Sequence, residues 1–132
     1  MPILLPTTLA AAAAAALINF WLANRIGKLR ISEKISVGDG GNELLARRMR
    51  AQLNFAENVP FGLILIAALE LARPGWLWLS VVAAIYMLGR VLHGLGMDGG
   101  SLGWGRTVGI SVTLLTHVAL SVTAVLVLLG VV

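Results

Sequence analysis

Four long apolar runs, joined by shorter polar connections, dominate this sequence, and each is long enough to cross a bilayer as a helix, which takes about 20 residues. The runs predict helices at about 3–25, 43–72, 76–96 and 106–131. Composition agrees with a membrane setting. Mean hydropathy is +0.91 and only 12% of residues are charged, against roughly 25% in average globular chains. The expected fold class is therefore an all-α integral membrane protein, a four-transmembrane-helix bundle, with residues 1–132 forming a single domain. The chain has no cysteine, which excludes disulfides, thiolate metal sites and a cysteine nucleophile. Any thiol chemistry must use a thiol that a ligand brings.

The first run contains seven consecutive alanines, Ala10 to Ala16, which permit close helix approach. No charge precedes Arg25, so the run reads as a retained helix rather than a signal peptide. Asn19 is expected to make an interhelical hydrogen bond, and Trp21 suits the membrane interface. The stretch Asn24–Asn42 reads as the longest polar connection. Its Val37-Gly38-Asp39-Gly40-Gly41-Asn42 lacks the Gly-Lys-Ser/Thr of a phosphate loop and reads as a flexible turn, with Asn42 or Asp39 capping the next helix. Seven of the ten basic residues lie between Arg25 and Arg50, the pattern of a cytoplasmic connection rather than of a nucleic-acid-binding protein. Both termini are thus expected on the non-cytoplasmic side, of the inner membrane if the protein is bacterial.

The second run opens on an unusually polar stretch, Arg47 to Phe61, before turning apolar from Gly62. On a helix, Arg47, Arg50, Asn54 and Glu57 fall within an arc of about 80°. Charged groups entering a bilayer are expensive and usually functional. Pro60 is expected to kink the helix beyond this patch. In the third run Tyr86, Arg90, His93 and Met97 share one face; Arg106 and Thr107 open the fourth, where Thr113 and His117 share the face of Arg106. If the helices bundle, these groups converge at one depth with Lys28 and Arg30. Arg48 and Arg73 read as snorkelling lipid anchors. A self-satisfied network of Arg50, Asn54 and Glu57 is the structural alternative to a ligand site. The surplus of arginines favours a small zwitterionic, mostly anionic ligand. His93 and His117 lie on different helices with no third ligand, so no metal site is expected. A small multidrug transporter would need a carboxylate in the first helix, which has none.

The sequence Arg50-Ala51-Gln52-Leu53-Asn54-Phe55-Ala56-Glu57-Asn58-Val59-Pro60 resembles the Arg-Ala-Gln/His-x-Asn-x-x-Glu-x-x-Pro signature of the MAPEG family, the membrane-associated proteins of eicosanoid and glutathione metabolism. The resemblance implies a homotrimer that binds glutathione between subunits near the cytoplasmic side. It also implies a transferase or peroxidase acting on lipophilic small molecules from the membrane lipid, or else a non-catalytic lipid- or ligand-binding member. By this resemblance Arg50, Asn54 and Glu57 would hold the tripeptide, and Arg90 and His93 sit where the family uses third-helix polar and aromatic side chains; Arg47 joins the ligand face by its place on the helical arc. Gln52, on another face of the helix, would reach ligand at a different subunit interface or not at all, and Lys28 or Arg30 would take a ligand carboxylate. Arg106-Thr107 resembles the Arg-Ser pair beside the sulfur in prostaglandin synthases, which makes these two the candidate catalytic residues. Two positions depart from the pattern: Asn58 stands where leukotriene synthase has Tyr, and Met97 stands where a further tyrosine is expected.

A free thiol has a pKa near 8.5. Lowering it by about two units takes ~2.7 kcal/mol of differential stabilisation. One guanidinium with a hydroxyl donor in a dry site can supply that, and Arg106 with Thr107 is the expected pair.

Overall fold

A computed structural model of the chain describes residues 3–100 and 103–132. Within it, α1 spans Pro6–Glu33, α2 Glu43–Ala72, α3 Leu77–Gly96 and α4 Trp104–Leu128, and a 3₁₀ turn, Met97–Gly99, follows α3. All four helices are long and apolar enough to cross a membrane. The fold is an all-α four-helix protein, and the chain is an integral, multi-pass membrane protein. Large apolar side chains such as Leu17, Phe20, Phe61 and Leu115 face outward, as a lipid solvent requires.

Local chemistry sets the helix ends. Proline at the first position of α1 has no N–H to leave unpaired. Asn42 caps α2 by accepting from the Leu45 N–H at 2.9 Å, and Glu43 sits in the first turn, where the helix dipole favours it. Asp39 instead accepts from Gly41 N–H within the preceding turn. Beyond Arg73, Gly75 adopts a φ of 83°, a left-handed conformation that glycine takes without strain.

Two expectations change. The first helix does not stop near residue 25 but runs to Glu33, so Arg25, Lys28 and Arg30 ride on a helix rather than a loop. Polarity alone does not end a helix, and Arg, Lys, Leu and Ile all tolerate one. The end comes at Lys34, which turns left-handed with a φ of 56°. Pro60 lies inside α2, which is continuous from Glu43 to Ala72. Helix α4 starts two residues before Arg106, placing that residue within its first turn. The connection between α3 and α4 includes the 3₁₀ turn, and Ser101 and Leu102 lie outside the described residues.

The core is formed by Leu22, Phe55, Val59, Ile66, Leu79, Tyr86 and Leu120. Between α3 and α4 the contact is backbone against backbone. A Cβ on Gly96 would sit 2.2 Å from the Arg106 nitrogen, and one on Gly109 would sit 2.6 Å from the Gly89 oxygen. Only glycine allows this approach, the small-residue packing that membrane helices use in place of a hydrophobic drive.

Candidate functional site

Helices α2, α3 and α4 enclose a cleft of about 340 Å³ lined by Arg50, Asn54, His93, Met97, Arg106, Thr107 and Ile110. Its volume falls at the lower end of the range for small-molecule sites. Five of the residues singled out from sequence therefore meet here: Arg50 and Asn54 from α2, His93 from α3, and Arg106 and Thr107 from α4. The close approach at Gly96 carries the backbone of Arg106 onto the end of α3, so the three helices present their polar groups at one level.

Arg90 stands behind this wall. It is 1% exposed, and its guanidinium donates to the Thr113 hydroxyl at 2.9 Å and to Asn54 Oδ1 at 2.8 Å. With its oxygen taken, Asn54 is left with its amide nitrogen for the cleft. The acceptors available to an arginine fork fix its plane, and here they fix the amide of Asn54 as well. Thr113 in turn donates back to the Gly109 carbonyl at 3.0 Å. Arg90 Nε and His93 Nδ1 are buried without a hydrogen-bond partner.

The cleft is rich in positive charge. Arg106 makes no ion pair among the described residues, and Arg50 pairs with Glu57 at 3.7 Å with both side chains about half exposed. That pair is of a type worth well under 1 kcal/mol and is easily exchanged for a ligand. The Thr107 hydroxyl donates to Gly103 O at 3.3 Å, within its own helix.

The remaining candidates lie elsewhere. Gln52 donates to Asn19 Oδ1 at 3.3 Å, the interhelical bond expected of Asn19. Both line a second groove, of about 780 Å³ between α1 and α2, with Arg30 and Arg50. Arg30 reaches Met49 Sδ at 3.4 Å, and its Nη1 is buried without a partner. Arg47 bonds Glu43 at 3.2 Å and lies against Gly100, outside both cavities. Lys28 is exposed and lines neither. Arg50 is thus the one candidate shared by the two cavities.

Arg48 is not a lipid anchor. It grips Asp98 through two nitrogens, at 3.2 and 3.0 Å, and donates to the Arg25 carbonyl at 3.3 Å. Arg25 joins the same carboxylate, donates to Gly94 O at 3.0 Å and lies over the Trp21 ring. Sequence reasoning missed this cluster because Asp98 sits in a glycine-rich stretch that reads as a loop. It also missed Glu70, buried at the opposite end of α2, which accepts from Thr7 N–H, Thr8 N–H and the Thr8 hydroxyl at 2.7–2.8 Å. A lone carboxylate in an apolar run is itself a signal, since lipid tolerates one only with partners. His117, on the fourth helix, meets the Tyr86 hydroxyl at 3.1 Å.

The sequence pattern of the MAPEG family matches residues 8–126, and the chain belongs to that family. No curated protein matches the chain.

Proposed function

For a member of this family, we propose a glutathione-dependent membrane transferase or peroxidase that acts on lipophilic electrophiles. One observation carries the reading: Arg50, Asn54 and Arg106, the last without an ion pair among the described residues, share one cleft. Arg50 and the amide nitrogen of Asn54 hold the anionic tripeptide, with Glu57 exchanging its loose ion pair for the ligand's ammonium group. Arg106 faces the sulfur. Its guanidinium offers donors and positive charge, and both favour a thiolate over the thiol. The thiolate then attacks an electrophilic carbon delivered from the lipid. The S–C bond forms as the leaving group departs with its electron pair, or, in a conjugated carbonyl compound, as the C=C π bond breaks and electrons shift onto the carbonyl oxygen, which takes a proton from water.

The division of candidates between two cavities supports assembly as a homotrimer. Asn54 and Arg106 line one cavity and Gln52 and Arg30 the other, with Arg50 lining both. In a ring of subunits, the second set of one protomer faces the first set of the next. Buried Arg30 Nη1, without a partner in the single chain, would then meet a ligand carboxylate. The basic clustering of Arg25 to Arg50 sets this end of the bundle on the cytoplasmic side, with both termini opposite.

One observation favours a second reading, a non-catalytic ligand-binding member of the family. The Thr107 proton is committed to Gly103 O, and Asn58 and Met97 supply no aromatic ring to flank a ligand. Glutathione titration of the purified protein, followed by thiolate absorbance, decides the matter. The parent is expected to bind glutathione and form thiolate at pH 7, and Arg50→Ala is expected to weaken binding. Absence of glutathione binding by the parent overturns the reading, and binding without thiolate selects the non-catalytic one.

A further inference from the structure

We propose that Asp98 is a positioning residue for Arg106, an inference that rests on the thiol-activating role just given to that arginine. Asp98 lies in the 3₁₀ turn directly after Met97, a residue of the cleft wall. Its carboxylate gathers Arg25 from α1 and Arg48 from α2, the latter through both carboxylate oxygens. Arg25 also reaches back to the Gly94 carbonyl in the last turn of α3, and Arg48 to the Arg25 carbonyl. The end of α3 is therefore bolted to two other helices at once. On its other side that same end carries α4, since the Arg106 backbone rests on Gly96 with no room for even a methyl group. Only Met97 separates Gly96 from Asp98, so a shift of the turn carries Gly96, and Arg106 with it, relative to Arg50 and Asn54 on α2. Displacements of about 1 Å at a reacting group can cost as much as 100-fold.

Charge alone makes the opposite prediction, which is what renders the idea testable. Asp98 is the carboxylate of a cluster with two arginines. Removing its charge leaves a net positive surplus near the cleft, and a positive surplus favours a bound thiolate. If Asp98 acted only through its field, Asp98→Asn would raise the thiolate fraction of bound glutathione. Acting by position, the same change lowers it.

The thiolate fraction at pH 7 and the glutathione affinity are measured by absorbance titration in the parent, Asp98→Asn, Asp98→Glu and Gly96→Ala. The expected result is a fall in thiolate fraction of about fivefold in Asp98→Asn, with affinity held within about threefold because Arg50 and Asn54 stay in place. Asp98→Glu recovers part of the loss, and Gly96→Ala reproduces it by pushing α4 away. An unchanged or increased thiolate fraction in Asp98→Asn overturns the proposal, as does a proportional loss of binding and thiolate together. A second measurement does not need glutathione. Because the chain has no cysteine, spin labels at Ser32→Cys on α1 and Val108→Cys on α4 report the separation of those helices without background. In Asp98→Asn that distance distribution is expected to shift or broaden, and an unaltered distribution overturns the positioning role. If the parent fails to bind glutathione but the distribution still moves, the proposed function fails while the mechanical link to Arg106 stands.

Discussion

The two ends of this bundle treat buried charge in opposite ways. At the end where α1 begins, the carboxylate of Glu70 receives two backbone N–H groups and a hydroxyl from Thr7 and Thr8, so the first turn of one helix is tied to the last turn of another. Thr7 further shares a hydrogen bond with Ser80 of α3 at 2.7 Å. Both carboxylate oxygens have donors there. At the other end, Asp98 absorbs Arg25 and Arg48, yet Arg106 has no ion pair among the described residues, and Arg30, Arg47 and Arg90 each keep a buried nitrogen without a partner. Leaving a buried donor unpaired costs about 1–3 kcal/mol. That contrast is the reason the proposed site is placed at the arginine end.

The contrast can be broken from either side. Arg106→Ala is expected to give the largest effect, a loss of about 25-fold in the bound thiolate at pH 7, as follows when the thiol returns from a pKa of about 6.5 to about 8.5. Thermal stability should barely move, since the residue has no ion partner to orphan. Equal thiolate in the variant, read by absorbance, would remove Arg106 from its role. Glu70→Ala should do the reverse, destabilising the fold by about 2 kcal/mol by orphaning the donors of Thr7 and Thr8. Faster hydrogen exchange in the first turn of α1, with unchanged glutathione affinity, is the signature to look for. A change in affinity there would show that the two ends are not independent.

Arg90→Lys tests whether a buried arginine acts on the ligand through Asn54. A lysine is a single point donor and cannot hold Thr113 and Asn54 together in a fixed plane. Freeing the Asn54 amide should weaken glutathione binding by about tenfold, the worth of one hydrogen bond to a charged group, and calorimetric titration measures it directly. The smallest effect is expected for Lys28→Ala, within about twofold in affinity, as for most surface substitutions away from a site. A larger loss would mean that an exposed side chain lining neither cavity still reaches the ligand, as from a neighbouring subunit.

Much of the fold was legible because lipid enforces it. Twenty-residue apolar runs leave few alternatives to helices, and the cap at Asn42 announces the start of α2. The cleft was legible to the extent that helical periodicity reports faces: Arg50 with Asn54, and Arg90 with His93, emerged from spacing alone. What periodicity does not report is which neighbour a face meets. Arg48 and Asp98 are 50 residues apart, and nothing local links them, so one read as a lipid anchor and the other as part of a turn. The glycines of α3 and α4 hid for a related reason. Gly89 and Gly96 look like weak points in a helix until the backbone of α4 is known to lie against them. Arg47 shows the limit from the other direction, since it shares the arc of Arg50 and Asn54 yet spends its charge on Glu43.

The extension of α1 to Glu33 has a consequence for how the chain can vary in length. A basic residue on a loop keeps its reach when the loop gains or loses a residue, because the backbone absorbs the change. On a helix each residue adds a rotation of about 100°. Deleting one residue between Arg25 and Arg30 would keep Arg25 on Asp98 and swing Arg30 out of the α1–α2 groove, whereas a deletion between 36 and 41 would leave both in register. Length variation in this part of the molecule is therefore confined to the short stretch after Lys34, and the basic residues before it are indexed to the rest of the bundle by helical phase.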